Sequence, residues 1–329
     1  MSPLSAGRPI RWGFLGAGGI AASMAADLGH GNHRLYAVAA RDADRAAAFA
    51  ARFGASHSHG DYRAVVEDAD VDIVYIATTH PFHRELALMA IDAGKPVLVE
   101  KPLTLNAVHA REVLNAALDK GVFAMEAMWM RANPLILKAQ DMVAKGVIGD
   151  VVAVHADFSI ELAFDPTHRL YDLANGGGAL LDLGVYPIHF AWLFLGRPDT
   201  QQVVGTLSPT GSDATVALQW GFNSGATAQL RCATTASTPG RATIAGTTGS
   251  ISVEPWFLNP ERLVVTTSEG ESRVEGEHTA YGPQIHEVER CLREGLLESP
   301  LAPHADTIAI LELIDQARAD LGVRYPAEA

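Results

Sequence analysis

The chain has 329 residues, more than one core usually serves, so two domains are expected. Hydrophobic residues make up 48% and charged residues 19%, a globular balance, and a net charge of −13 argues against nucleic acid and anionic membrane as general partners. The two cysteines, Cys232 and Cys291, support neither a disulfide framework nor a cysteine zinc site; with no leader-like start and no run read as long enough to cross a bilayer, a reducing cytoplasm is expected.

In chain order, residues 10–15 read as a buried strand broken at Gly16, and 19–28 as a helix. A short apolar strand at 35–39 and an Ala-rich helix at 44–53 follow. The continuous apolar run VDIVYIA at 71–77 is typical of a strand covered on both faces. A helix over 82–93, a strand at 97–99, a helix over 106–120 closed by Gly121 and a strand at 122–125 complete the alternation. Such alternation means a doubly wound parallel sheet of the Rossmann type. Asn133-Pro134 then opens a helix. Beyond it, 151–160, 202–206, 214–220, 226–232, 242–245, 250–253 and 263–267 read as strands, several alternating polar and apolar, followed by helices near 284–294 and 304–321. The fold expected is α/β: a dinucleotide-binding domain over 1–127, then an α+β domain over 128–329 with a mainly antiparallel sheet open on one face.

Two stretches carry chemistry. Gly16-Ala17-Gly18-Gly19-Ile20-Ala21 fits G-x-G-x-x-A between a strand and a helix. There Gly16 permits the tight turn, Gly18 lets backbone approach a pyrophosphate, and Ala21 lets helix and strand pack closely. The second strand ends Ala39-Ala40-Arg41-Asp42, with Arg45 one helical turn on. An NAD site wants an acid at the small position; Arg41 and Arg45 suit a 2′-phosphate, which favours NADP, and Asp42 keeps NAD open. Further on, Glu100-Lys101-Pro102 ends a parallel strand at the edge where ligands bind in such sheets. Lys101 there could lower the pKa of a phenol or orient a hydroxyl. In the apolar segment from Gly176 to His189, Asp182, Tyr186 and His189 fall at helical spacing on one face, with Pro187 favouring a kink beside Tyr186. Buried polar groups need partners or a pocket; Tyr186 with Asp182 points to a site, whereas His189 alone reads more simply as core. No cluster of His, Asp and Glu argues for a metal.

These motifs in this order, with Glu126-Ala127-Met128-Trp129-Met130-Arg131 between them, resemble the glucose–fructose oxidoreductase / inositol dehydrogenase (Gfo/Idh/MocA) family over nearly the whole chain. Within it the chain is most similar to the dimeric dihydrodiol dehydrogenase and NADP-dependent D-xylose dehydrogenase branch. The resemblance implies an NADP-dependent enzyme that moves a hydride to or from the carbinol carbon of a sugar or cyclic diol. It makes Tyr186 the general acid/base, Lys101 the group that stabilises charge at the reacting hydroxyl, and Asp182 an orienting carboxylate. The cofactor set it implies is Gly16, Gly18, Gly19, Ile20, Arg41, Arg45, Thr78, Thr79, His80, Glu100, Lys101, Trp129 and Arg131, with a cis peptide before Pro102. Trp129, Phe158, Asp182, Tyr186, His189 and Trp256 would meet substrate, with core packing the alternative for Phe158; His83 could also line the cofactor, with opening a helix the alternative. The resemblance also implies a homodimer or larger assembly through the open sheet. Two alternatives stand: an NAD-dependent sugar or inositol dehydrogenase, and a catalytically silent dinucleotide sensor or corepressor. The second predicts loss of Lys101 or Tyr186, and both are present.

Overall fold

The computed structural model describes residues 7–29 and 31–328. In chain order its elements are β1 (Ile10–Leu15), α1 (Gly19–Leu28), β2 (His33–Ala39), α2 (Ala43–Phe53), β3 (His57–His59), α3 (Tyr62–Val66), β4 (Ile73–Ile76), α4 (His83–Asp92), β5 (Val97–Glu100), α5 (Ala107–Lys120) and β6 (Ala124–Ala127). Then follow α6 (Pro134–Ala144), β7 (Val151–Ser159), α7 (Val185–Leu195), β8 (Thr200–Leu207), β9 (Asp213–Gly221), β10 (Thr227–Ala233), β11 (Ala242–Gly246), β12 (Gly249–Val253), β13 (Arg262–Thr267), β14 (Gly270–Glu275), α8 (Gly282–Glu294) and α9 (His304–Leu321).

Two compact units result. One runs to Trp129 and takes back Ala280–Ile308; the other is Met130–Thr279 with the chain from Ala309 onward. The boundary expected after residue 127 thus falls two residues later, and the second unit is not the continuous 128–329. The reason is apolar: Ile285, Val288, Cys291 and Leu292 of α8 bury in one cluster with Trp12, Phe14, Met24 and Leu28.

In the first unit, six parallel strands take the order β3-β2-β1-β4-β5-β6. The order reverses between β1 and β4, the switch point at which doubly wound sheets bind ligands. Every residue of β4 and β5 is buried, as strands covered on both faces must be. The α1 helix buries Ala21, Met24, Ala25 and Leu28, a single stripe at helical spacing. Asn106 Oδ1 accepts the His109 N–H at 2.8 Å to start α5, and Gly121 ends it in the left-handed conformation. Two elements were not expected. The edge strand β3 is three polar or small residues, His-Ser-His, and α3 is five residues long; neither has room for a periodic signal.

The second unit is built on a sheet ordered β14-β13-β12-β11-β7-β10-β9-β8, antiparallel except where β7 runs parallel to β10. In β10 exposed and buried residues alternate from Thr227 to Leu230, so one face of the strand meets α7 and its leading turn and the other stays open. Trp220 is fully buried, its indole N–H donating to Gln201 Oε1 at 2.7 Å. The polar edge strand β14 went unexpected because nearly all of it is exposed. Against expectation, Leu173–Leu195 is long and apolar enough to span a bilayer by length and composition, with mean hydropathy 1.4; 78% of its apolar window is buried inside the protein. Trp12→Ala is expected to lower the stability of the first unit by about 3–5 kcal/mol, read as a fall in the urea midpoint, because the indole is fully buried.

Candidate functional site

At the carboxyl edge of the first sheet, Gly16 has φ +115°, and a Cβ there would stand 2.5 Å from the Ala77 carbonyl oxygen. Gly16 N–H donates to Ala39 O at 2.8 Å, so β1 turns tightly between its neighbours. Gly18 caps α1 with its backbone, leaving the first N–H groups of the helix, from Gly19 and Ile20 on, available to an anion. Asp42 has another job: its Oδ1 accepts the N–H groups of Asp44 (2.9 Å) and Arg45 (3.1 Å) and caps α2. Arg45 reaches the glycine turn, donating to Ala17 O at 3.1 Å, while Arg41 lies 5.4 Å from the Phe82 ring. The second-strand end therefore presents two guanidinium groups beside a carboxylate committed to a helix cap.

Two loops from neighbouring strand ends are tied together. Thr78 and Thr79, half-buried, and His80, buried, follow β4. The Lys101-Pro102 peptide is cis, as expected. His83, fully buried, places Nδ1 3.0 Å from Pro102 O and Nε2 3.2 Å from Thr78 O. Burial, the largest influence, depresses the His83 pKa, so the ring is neutral near pH 7 and donates to one carbonyl at a time. Glu100 braces the same edge from below: Tyr75 donates to its Oε1 at 2.5 Å and Lys101 N–H to its Oε2 at 3.2 Å. Glu126 of β6 holds the same loop two residues on and ties it to α9, accepting Leu103 N–H and the Thr307 hydroxyl, each at 3.0 Å. Lys101, half-buried, thus hangs from a segment fixed on both sides. Trp129 lies in a 3₁₀ turn with its ring 5.2 Å from that of Tyr281.

In the second unit, Asp182 and Tyr186 lie where the helix is not regular. Leu180–Gly184 forms a π-helical turn that runs directly into α7. Pro187 lacks the N–H that an α-helix would offer to the Leu183 carbonyl, and the wide turn lies where that bond is missing. The kink expected beside Tyr186 takes this form. Asp182 (6% exposed) receives a bidentate fork from Arg169, both distances 3.0 Å. Tyr186 meets Phe158 edge-on at 5.5 Å, and Phe158 meets Trp256 at 5.3 Å. Trp256 is 56% exposed, so the aromatic row runs from buried phenol to open surface. His189 is 1% exposed and held neutral, its pKa depressed first by burial and then by the Arg131 cation. Arg131 is itself buried, at 4% exposure.

The residues thus gather in two sets. Gly16, Gly18, Gly19, Ile20, Arg41, Arg45, Thr78, Thr79, His80, Glu100, Lys101 and Trp129 belong to the first unit; Arg131, Phe158, Asp182, Tyr186, His189 and Trp256 belong to the second. One residue escaped sequence reasoning: Arg169 sits in an irregular loop that has no periodicity to mark it. His83, weighed as a residue lining the cofactor or opening a helix, bridges two strand ends. Among the described residues no three His, Cys, Asp or Glu side chains converge as metal ligands.

Residues 10–128 match the profile of an oxidoreductase family with an NAD-binding Rossmann fold, and residues 136–252 match the GFO/IDH/MocA C-terminal domain. The mouse trans-1,2-dihydrobenzene-1,2-diol dehydrogenase is 34% identical over 97% of this chain and 99% of its own. The chain belongs to the GFO/IDH/MocA oxidoreductase family. The corresponding dehydrogenase from Bos taurus is 32% identical with the same coverage of both chains. Among solved members, the 3-ketoreductase KijD10 from Actinomadura kijaniata, in complex with NADP and TDP-benzene, is 29% identical and superposes with TM-score 0.84 over 95% of this chain and 98% of that one. A levoglucosan dehydrogenase in complex with NADH and levoglucosan, 22% identical with TM-score 0.85 over 95% of this chain and 98% of that one, shares the fold.

Two measurements test this site of the GFO/IDH/MocA chain. His83 and His189 both have depressed pKa values, so their contribution to stability is present above the ordinary value of 6.5 and is lost as pH falls below it. The urea midpoint should therefore drop between pH 7 and pH 5, and His83→Gln should flatten part of that drop. Arg169→Lys keeps the charge and loses the fork; stability should fall by about 1 kcal/mol, and by more for Arg169→Ala, in denaturant melts.

Proposed function

We propose that this oxidoreductase uses NADP to transfer a hydride between the nicotinamide and a carbinol carbon of a sugar or a cyclic diol, as a dihydrodiol or aldose dehydrogenase does. The observation that carries the reading is the arrangement around Tyr186: a phenol against an aromatic row, one turn from a carboxylate held by a bidentate arginine. The names of the relatives support the reaction class, since trans-diol dehydrogenases cover 97% of the chain at 32–34% identity. The preference for NADP is supported by Arg41 and Arg45 beside an Asp42 engaged in capping, and by the NADP held by KijD10.

When bound, the cofactor supplies the hydride acceptor or donor. The glycine turn at Gly16 to Gly19 and the start of α1 would hold its pyrophosphate, and Arg41 and Arg45 its 2′-phosphate. Tyr186 takes the hydroxyl proton in the oxidative direction and returns it in the reductive one. Lys101 would bring its ammonium charge to the reacting oxygen. Asp182, its orientation fixed by Arg169, holds the substrate in register. Phe158 and Trp256 offer faces on which a pyranose or a cyclohexadiene ring stacks. Thr78, Thr79, His80, Glu100 and Trp129 would line the cofactor from the first unit, and Arg131 is assigned to it from the second.

We also propose that the open face of the second sheet pairs with a second copy of the chain. Val204 on that face is 75% exposed, and a concavity of about 580 Å³ flanked by Gln202, Gln219, Gln229 and Arg231 lies beside it. Val204→Glu should then shift the particle from dimer to monomer in light scattering, and a monomeric parent would overturn the pairing.

The cofactor assignment is tested by fluorescence titration with NADPH and NADH, followed by a screen of aldoses and trans-diols with NADP⁺. NADPH should bind tighter, and Arg45→Ala should weaken NADPH by roughly 10-fold or more while leaving NADH nearly unchanged. Equal binding of both dinucleotides would return the choice to NAD. With an accepted substrate, Tyr186→Phe should lower kcat by about 100-fold or more with the NADPH Kd intact; near-normal turnover would remove Tyr186 from the acid/base role.

A further inference from the structure

The π-helical turn that carries Asp182 begins on a buried carboxylate. Oδ2 of Asp213, the first residue of β9, accepts the Leu180 N–H at 2.5 Å. Asp213 is 1% exposed. Gly178, with φ +139°, packs against it so closely that a Cβ would collide with Oδ1. Gly184, at the far end of the same turn, is pressed against β10, where a Cβ would stand 2.8 Å from Cys232 Sγ. The turn is therefore nailed at its start by a charge-assisted hydrogen bond and at its end by van der Waals contact with the sheet.

From this geometry we infer that Asp213 is a positioning residue for the reaction: by fixing the start of the helix at Leu180 it sets where Asp182 and Tyr186 are presented. The inference rests on the reading of Tyr186 as the acid/base. A helix cap alone could use asparagine, serine or threonine and avoid burying a charge. A carboxylate at the same place adds a charge-assisted bond to the helix N-terminus, and so a stiffer hold on the turn that follows.

The groups that act on Asp213 come from each element packed around it. They are the Leu180 and Ala179 N–H groups of the turn, its own backbone, Arg318 of α9, Tyr325 beyond α9 and Cys232 of β10. Arg318 is shared with Asp315 at 2.8 Å and with Glu328 at 2.8 and 3.0 Å. Burial has the largest effect and raises the carboxyl to about 6, above the ordinary 3.8. A raised carboxyl contributes stability below its unfolded value and loses it as pH climbs through the folded value. Ionisation at neutral pH is thus a stability cost that Asp213→Asn removes, while the same change weakens the hold on Leu180.

The test is the pH dependence of kcat at saturating substrate and cofactor in the parent, in Asp213→Asn and in Tyr186→Phe. The parent should lose kcat as pH falls through about 6, with NADPH binding unchanged across that range. Asp213→Asn should lower kcat roughly 10- to 100-fold at pH 7.5, leave the NADPH Kd near the parent value, and abolish the inflection. Its thermal midpoint should rise relative to the parent between pH 5 and pH 8. A variant with parental kcat, or one that keeps the inflection, overturns the positioning role. Should Asp213→Asn not fold, the parent profile decides: a flat kcat between pH 5 and pH 7.5 overturns the role as well. Loss of activity in Asp213→Asn with normal activity in Tyr186→Phe would instead overturn the acid/base reading on which the inference depends.

Discussion

Burying three polar side chains on one apolar helix is the constraint around which the second unit is arranged. Residues 180–195 are nearly all hydrophobic, and they cover the sheet at β7 and β10. Asp182, Tyr186 and His189 are each at most 6% exposed. A polar group taken from water into such a setting costs a few kcal/mol unless it finds a partner. Each problem has its own solution. Asp182 is met by a guanidinium fork, Tyr186 lies among aromatic edges, and His189 is kept uncharged beside Arg131. The irregular turn at Leu180–Gly184 follows from Pro187 and concentrates the chemistry where the helix departs from its ideal path.

The first unit handles an analogous difficulty with backbone. Strand ends leave carbonyls and N–H groups at the ligand edge, and these must be fixed without filling the crevice. Gly16 allows β1 to turn within reach of the Ala77 carbonyl. His83 then bridges the loops after β4 and β5, and Glu100 and Glu126 hold the loop after β5. All three are buried. Backbone held this way depends on buried side chains behind it.

Much of this was legible in the sequence because it repeats or marks itself. The alternation of apolar runs located β1, β4 and β5, the glycine spacing located the dinucleotide turn, and the kink at Pro187 could be foreseen from one residue. What stayed hidden had no local signal. Arg169 lies in a loop whose only regularity is three-dimensional, and Asp213 reads as an ordinary residue before a strand until Leu180 is brought against it. The edge strands β3 and β14 are polar and exposed, so no face of theirs is selected for burial. The return of α8 to the first unit escaped for another reason. An amphipathic helix shows that it needs an apolar partner without showing which one.

That return has a consequence for how the chain matures. The core around Trp12, Phe14 and Leu28 is completed by Ile285, Val288 and Leu292, which leave the ribosome only after the whole of the second sheet has been made. The first unit therefore emerges early but unfinished, with part of its apolar surface uncovered during synthesis. Expression of the N-terminal segment alone would leave that surface open for good. A workable excision of the dinucleotide-binding unit would need residues 280–308 spliced back onto it, so the two units are separable in architecture but interleaved in birth order.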